Sequence, residues 1–238
     1  MTRIAEDNKI TIDSIPCTLT RSARRSLSVA VERDGEVVIR APLRMPESAI
    51  REFALEKAAW IGKKRAEALN RSKLHPPISV KTGERLPWLG GALELQESRV
   101  AKRIRREGDR LLLPEGTDAD ALIRWIRKQA RDYLNPRLDM YAQRMGLVYK
   151  SLKITGATGR WGSCSYDNRI NLSWHLMLVS PGCADYVIVH ELCHILHKDH
   201  SPAFWAAVEG WIPDYRAREK ELKDHVAVMD LLTSAGKD

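Results

Sequence analysis

The motif His-Glu-Leu-Cys-His at residues 190–194 constrains the chain most, because it places metal-binding side chains inside a strongly apolar segment. Ser180 and Pro181 supply the N-cap and first-turn proline that typically start a helix. The apolar residues that follow predict a helix as far as about Lys198. Side chains four positions apart share one face of a helix, so the two histidines of the motif can close on a single metal ion.

Glu191 would then lie beside the metal rather than on it, where a carboxylate can accept a proton from water. Imidazoles and a carboxylate are costly inside a buried helix unless something pairs with them, and a hydrated metal does so. The alternative is that His190 and His194 are core histidines bonded to the backbone, with Glu191 reaching solvent. The helical and apolar context favours the metal.

Four residues are candidates for a third ligand: His175, His197, His200 and Glu209. His197 lies about 7.5 Å farther along the helix axis than the midpoint of the first pair, which would strain a tetrahedral site. His200 precedes a second helix-start signal, Ser201-Pro202, so it lies in a turn that can fold back towards the metal. We therefore rank His200 first and Glu209, on the helix predicted for residues 203–211, second.

Further short motifs follow a fixed order along most of the chain: RRSL at 24–27, RAP at 40–42, GRWGSCS at 159–165, INLSW at 170–174, DYVIVHELCH at 185–194, HSPAFW at 200–205 and PDY at 213–215. In this series the chain resembles the YgjP-like metallopeptidases and, more distantly, the WLM and SprT-like zinc proteases. The resemblance implies a bacterial, intracellular, zincin-like domain with His190, His194 and His200 on Zn²⁺ and Glu191 as catalytic base. The cysteine zinc ribbon that SprT-like proteins often carry has no counterpart here.

The rest of the composition predicts a cytoplasmic protein with no membrane partner. No apolar run approaches the roughly 20 residues of a membrane helix, and the first eight residues are polar, with no apolar region after them. The four cysteines, at positions 17, 164, 183 and 193, form no Cys-x-x-Cys pair and indicate no disulfide framework.

The formal net charge of +8 raises the question of a nucleic-acid partner. One basic set recurs at helical spacing: Arg124, Arg127, Lys128 and Arg131. Such a stripe can neutralise phosphates, although a solvated helix face is the more common arrangement and no aromatic platform accompanies this one. Nucleic-acid binding through this surface is therefore an alternative, and an acidic protein substrate would explain the same charge.

The pattern of elements predicts an α+β fold with a division between residues 115 and 116. Residues 1–115 would form a small β-rich region with one helix, and residues 116–238 a zincin-like catalytic domain built on the motif helix and a sheet with an edge strand. In the first part, strands are expected at 10–12, 27–40 with a turn at Asp34-Gly35, 88–96, and 100–113 with a turn at 107–109. No internal repeat is apparent.

Two long helices are expected, at 46–70 and at 118–145, the second ending at Gly146. In the catalytic part, strands are expected at 152–155 and 169–178. Residues 171–174 are the predicted edge, to which an extended peptide would add through main-chain hydrogen bonds.

These features together predict a zinc-dependent metallopeptidase in which Glu191 accepts a proton from water and passes it to the leaving amine. The rival hypothesis is a non-catalytic module in which zinc staples the helices and the basic surface binds nucleic acid or a protein partner. A third combines the two, with the basic face bringing a protease to DNA-bound proteins.

The number of metal ligands distinguishes a catalytic zinc site from a purely structural one. A structural zinc site normally has a fourth protein ligand, for which His197, Glu209 and Cys164 are candidates, whereas three ligands leave a position open. Tyr215 and Arg216 are both candidates for stabilising an oxyanion.

Overall fold

Strands and helices are mixed along the whole chain, which confirms the predicted α+β class. The computed structural model describes residues 8–32, 34–74 and 78–232, and it separates into two units, residues 1–76 and 77–238. Within the described ranges there are three small sheets and six α-helices. None of the described helices combines the length and the apolar character needed to cross a membrane.

The first unit is a four-stranded sheet followed by two helices. Its elements are β1 (Asn8–Ile12), β2 (Ile15–Ser22), β3 (Ser28–Val31), β4 (Val37–Pro42), α1 (Glu47–Glu56) and α2 (Ala58–Leu74). The strand order is β1-β2-β4-β3, with a parallel pair in the centre and an antiparallel pair at each side. The hairpin expected at Asp34-Gly35 is confirmed, since Val31 pairs with Val37 across it.

Two features of this unit differ from the sequence-based expectation. The helix predicted for 46–70 is broken at Lys57, whose N–H bonds to the carbonyl of Ala54 rather than continuing the α-helical pattern. An apolar stripe cannot reveal such a one-residue break. The prediction also missed β2, in which only Cys17 and Leu19 are buried among polar neighbours.

The second unit begins with a sheet of the same design. It contains β5 (Arg85–Trp88), β6 (Gly91–Ser98), β7 (Arg105–Glu107) and β8 (Arg110–Pro114), in the order β5-β6-β8-β7, again with a central parallel pair. Both sheets open with a tight hairpin whose two turn residues have positive φ, Asp13-Ser14 in one and Leu89-Gly90 in the other. The two sheets therefore repeat one topology, although no repeat is apparent in the sequence.

This second sheet shares its apolar core with the elements that follow it. Leu95 and Leu111 of the sheet belong to the same buried cluster as Ile126 and Ile188 from later helices. The chain accordingly divides into its two units between residues 76 and 77, whereas the sequence pattern predicts a division between residues 115 and 116.

The long helix α3 (Ala119–Met145) has the boundaries that its caps predict. The carboxylate of Asp118 accepts a hydrogen bond from the N–H of Ala121 at 2.7 Å, and Gly146 adopts the left-handed conformation with φ of 66°. Every fourth residue of one face, from Leu122 to Ala142, is buried.

A third, three-stranded sheet lies next in the chain. It consists of β9 (Ser151–Thr155), β10 (Gly162–Cys164) and β11 (Arg169–Ser173), in the order β10-β11-β9. The prediction that residues 171–174 form the edge is wrong, because β11 is the central strand and β10 is an edge. The strand predicted to reach residue 178 ends at Ser173 and continues as a short 3-10 helix, Trp174–Leu178.

The remaining helices are α4 (Pro181–Leu196), α5 (Pro202–Trp211) and α6 (Tyr215–Asp224), followed by a 3-10 turn, Val226–Asp230. Both predicted helix starts are confirmed: the hydroxyls of Ser180 and Ser201 accept hydrogen bonds from N–H groups three residues later. Arg137 of α3 forms two hydrogen bonds of 2.7 Å with the carboxylate of Asp185, which ties α4 to the long helix.

Candidate metal centre

Three histidines from α4 and the turn after it come together as a cluster that could hold a metal ion. His190 and His194 lie one turn apart on α4, and His200 folds back from the turn before α5. One nitrogen from each ring lies within 4.8 Å of the other two. Nε2 of His190 lies 3.2 Å from Nε2 of His200.

The distance between His190 and His200 fits a tetrahedral ion. Two imidazole nitrogens bound to one zinc are about 3.3 Å apart, given Zn–N bonds of roughly 2.0–2.1 Å. The ring of His194 is oriented by the main chain, because its Nδ1 lies 3.0 Å from the carbonyl oxygen of His197. A carbonyl can only accept, so Nδ1 carries the proton and Nε2 keeps its lone pair.

Burial keeps the two helical histidines neutral. It lowers the pKa of His190 to about 3, with smaller contributions from His194 and His200. It also lowers the pKa of His194, against the opposing effect of the hydrogen bond to the His197 carbonyl. A neutral imidazole is the form that binds a metal.

Aromatic rings surround the cluster. Phe204 stacks on His194 with ring centroids 4.5 Å apart, and its edge contacts with His190 and His200 are 4.9 and 4.8 Å. Trp205 lies 5.8 Å from His190 and 5.6 Å from His200. Both aromatic residues lie in the first turn of α5, so this helix holds the three histidine rings in place.

Glu191 is buried beside the histidines, under the edge strand β10. Glu191 is 5% exposed, and its Oε2 has no hydrogen-bond partner among the described residues. Burial raises the pKa of Glu191 to about 8, while the positive charge of Arg160 acts in the opposite direction. A buried carboxylate with an unsatisfied oxygen points to a water molecule or ligand in the same place.

Gly162 on β10 makes this arrangement possible, and no local sequence pattern shows that it packs against Glu191. A Cβ atom at this position would lie 2.6 Å from Oε1 of Glu191. The glycine within GRWGSCS was the available signal, but its spatial partner could not be read from the sequence.

Lys198 is a second residue that the sequence analysis missed. Its Nζ donates to Oδ1 of Asn168 at 2.7 Å and to the carbonyl of Ser165 at 3.3 Å. These residues form the turn between β10 and β11, so Lys198 fastens that turn to the end of α4. The contact helps to hold β10 over Glu191.

The other candidate ligands lie elsewhere. His197 contributes only its main-chain carbonyl to the site, and Glu209 lines a groove between α5 and α6. His175 is buried, with Nδ1 2.7 Å from Oγ of Ser173. Within the described part of the chain, no fourth histidine, cysteine or carboxylate joins the three histidines of the cluster. Cys164 is therefore not part of it.

Neither oxyanion candidate is part of the histidine cluster. Tyr215 is buried and stacks on Trp205 with ring centroids 5.2 Å apart. The guanidinium of Arg216 lies over the Tyr215 ring, 5.4 Å from its centroid. The role of oxyanion donor therefore stays unassigned.

The predicted basic stripe is exposed on α3. Arg124, Arg127, Lys128 and Arg131 all reach solvent, and Lys128 pairs with Asp132 at 2.8 Å. Nucleic-acid binding through this face stays a prediction.

Comparison with known proteins identifies a family. A family model described as YgjP-like, metallopeptidase domain, matches residues 25–225. No curated protein and no solved structure shows significant similarity to the chain.

Proposed function

Because the chain belongs to the YgjP-like metallopeptidase family, we propose that it is a zinc-dependent peptidase whose centre is formed by His190, His194 and His200. The observation that carries the proposal is the position of Glu191, buried beside a cluster of three histidines that has no fourth protein ligand among the described residues. Three protein ligands are typical of catalytic zinc, whereas structural zinc normally has four.

Zn²⁺ held by three neutral imidazoles supplies a Lewis acid that polarises a carbonyl and makes water more acidic. Glu191 accepts the proton of the attacking water and delivers it to the leaving amine. Burial raises the pKa of this carboxyl, which makes it a stronger base and suits it to both transfers. β10 limits the space above the carboxylate and helps to exclude other water from it.

The substrate is a peptide or protein, as the family name indicates. We place it along the edge strand β10, which pairs with β11 and with no second strand among the described residues. An extended peptide would add to the other side through main-chain hydrogen bonds, which brings a scissile bond close to Glu191.

The decisive experiment measures metal content and peptide cleavage in parallel. Protein purified without added metal is analysed by plasma mass spectrometry, and the zinc-loaded chain is then incubated with a proteome-derived peptide library. We expect about one zinc per chain and new cleavage products that the Glu191→Gln variant does not form. A zinc-loaded chain that cleaves no more than this variant would contradict the proposal.

X-ray absorption spectroscopy distinguishes the proposed catalytic site from the rival hypothesis, a non-catalytic module with a structural zinc ion. We expect three imidazoles and one light, exchangeable ligand. A fourth protein ligand would favour the structural role.

A further inference from the structure

A groove of about 490 Å³ runs between α5 and α6, beside the metal centre. Trp205 and Tyr215 form its aromatic part, and Glu209, Glu219 and Arg216 contribute charged groups. The groove is open to solvent along the two helices, so a side chain could enter it from outside.

Trp205 belongs to both the groove and the metal centre. Its ring centroid lies 5.6 Å from that of His200, and the same ring stacks on Tyr215 at 5.2 Å. One indole therefore separates the histidines from the groove. A side chain in the groove would belong to a residue close to the bond being cleaved.

The charges of the groove favour a cation. Two carboxylates face one guanidinium, although the chain as a whole carries a formal charge of +8. Glu219 is already paired with Lys223 at 2.9 Å, but the exposed carboxylate of Glu209 has no ion pair or hydrogen bond to another described residue. Glu209 is therefore available to a ligand.

The aromatic part is also suited to a cation. The guanidinium of Arg216 already lies over the ring of Tyr215, 5.4 Å from its centroid. Lysine and arginine side chains combine a positive head with an apolar stem, which packs well on indole and phenol rings. An acidic side chain would instead meet the negative charge of Glu209.

We propose that this groove is a specificity pocket for a lysine or arginine side chain of the peptide substrate, next to the scissile bond, with Glu209 as the residue that selects the charge. The inference rests on the proposed peptidase function and adds the substrate class to it. Glu209 acts by binding the substrate and takes no part in the chemical step.

The test measures peptide binding rather than turnover. The zinc-loaded Glu191→Gln protein is titrated by calorimetry with octapeptides that differ at one central position, where arginine, lysine, leucine or glutamate is placed. We expect the arginine and lysine peptides to bind roughly tenfold more tightly than the leucine peptide, and the glutamate peptide most weakly, as one charge-assisted contact implies.

Charge reversal at Glu209 then tests the assignment. Adding Glu209→Lys should abolish the preference for basic peptides, and the milder Glu209→Gln should reduce it. Glu52→Lys is the matched control, because it changes the net charge equally at an exposed glutamate of α1 in the first unit. Circular dichroism and zinc content establish that each variant is folded.

The result separates the two proposals. Equal affinity for all peptides, no binding of any of them, a preference for glutamate, or a basic preference that survives Glu209→Lys would each overturn the inference. The proposed peptidase function fails on a different result, the absence of cleavage by the zinc-loaded parent chain.

Discussion

Gly162 and Glu191 occupy neighbouring space so closely that only a hydrogen atom fits on the α-carbon of the glycine. A Cβ there would lie 2.6 Å from Oε1 of Glu191 and 2.9 Å from its Cδ. Gly162 is not among the residues with positive φ, so the requirement is for space and not for an unusual backbone conformation. The edge strand β10 thereby limits the positions that the carboxylate of Glu191 can occupy.

Replacing Gly162 by alanine should lower kcat/KM strongly while leaving the zinc in place. The new methyl group would push the Glu191 carboxylate aside, and a displacement of about 1 Å can cost roughly 100-fold in rate. Gly159→Ala is the matched control, because a Cβ at that position meets no atom within 4 Å. Steady-state kinetics with metal analysis decides the point, and equal activity of the two variants would show that the contact is unimportant.

Glu191→Gln should keep the zinc and lose turnover, by roughly 100- to 10,000-fold, since an amide cannot accept the proton. The side chain keeps its size under Gly162, so the fold should be unaffected. Glu52→Gln on α1 is the control for loss of one negative charge. Full activity in Glu191→Gln would assign the base to another residue.

His200→Ala and His197→Ala should differ sharply in metal content. His200 presents Nε2 to the cluster, whereas His197 contributes its main-chain carbonyl, which alanine retains. We expect zinc to be largely lost from the first variant and retained by the second, as measured by plasma mass spectrometry after dialysis. Loss of zinc from both would place the side chain of His197 at the site.

Lys198→Ala should lower kcat several-fold with little effect on metal content. The substitution removes the hydrogen bonds to Asn168 and Ser165 that hold the β10–β11 turn against α4. Exposed contacts of this kind contribute about 1 kcal/mol or less, so the global fold should survive. Lys220→Ala, at an exposed position of α6, is the comparison, and an identical response of both variants would show that the tether does not act on the site.

The cysteines should differ in their reaction with iodoacetamide at pH 8. Cys183 is fully buried, and burial raises its pKa to about 11, so the thiolate that reacts is scarce and inaccessible in the folded chain. Cys164 is only half-buried and should be alkylated first. Peptide mass spectrometry of native and urea-unfolded samples gives the order, and rapid native modification of Cys183 would mean that this end of α4 opens.

The helix caps and the clustering of the histidines could be predicted because they depend on residues close together in sequence. Ser180, Ser201 and Gly146 end or begin helices where their local chemistry requires it. The convergence of His200 on His190 was also expected, since a helix and one turn are enough to bring them together.

Contacts between distant segments were the part that sequence patterns could not supply. Gly162 lies 29 positions before Glu191, and Lys198 lies 30 positions after Asn168. The edge strand was misplaced for the same reason, since the order β10-β11-β9 follows from pairing rather than from any local pattern. The repeated sheet was missed because its two copies share strand order and turn geometry but little recognisable sequence.

That repetition bears on how the chain could be redesigned. Both four-stranded sheets follow the same path: a hairpin, a parallel pair and a second hairpin. The first sheet is followed by α1 and α2, for which no chemistry is proposed, and the second is followed by α3 and then by the elements that carry the histidines. The same sheet topology thus occurs once beside the proposed catalytic residues and once without them. Residues 159–219 hold every group assigned a chemical role here, so substrate preference can be altered there by directed evolution while both four-stranded sheets stay as they are.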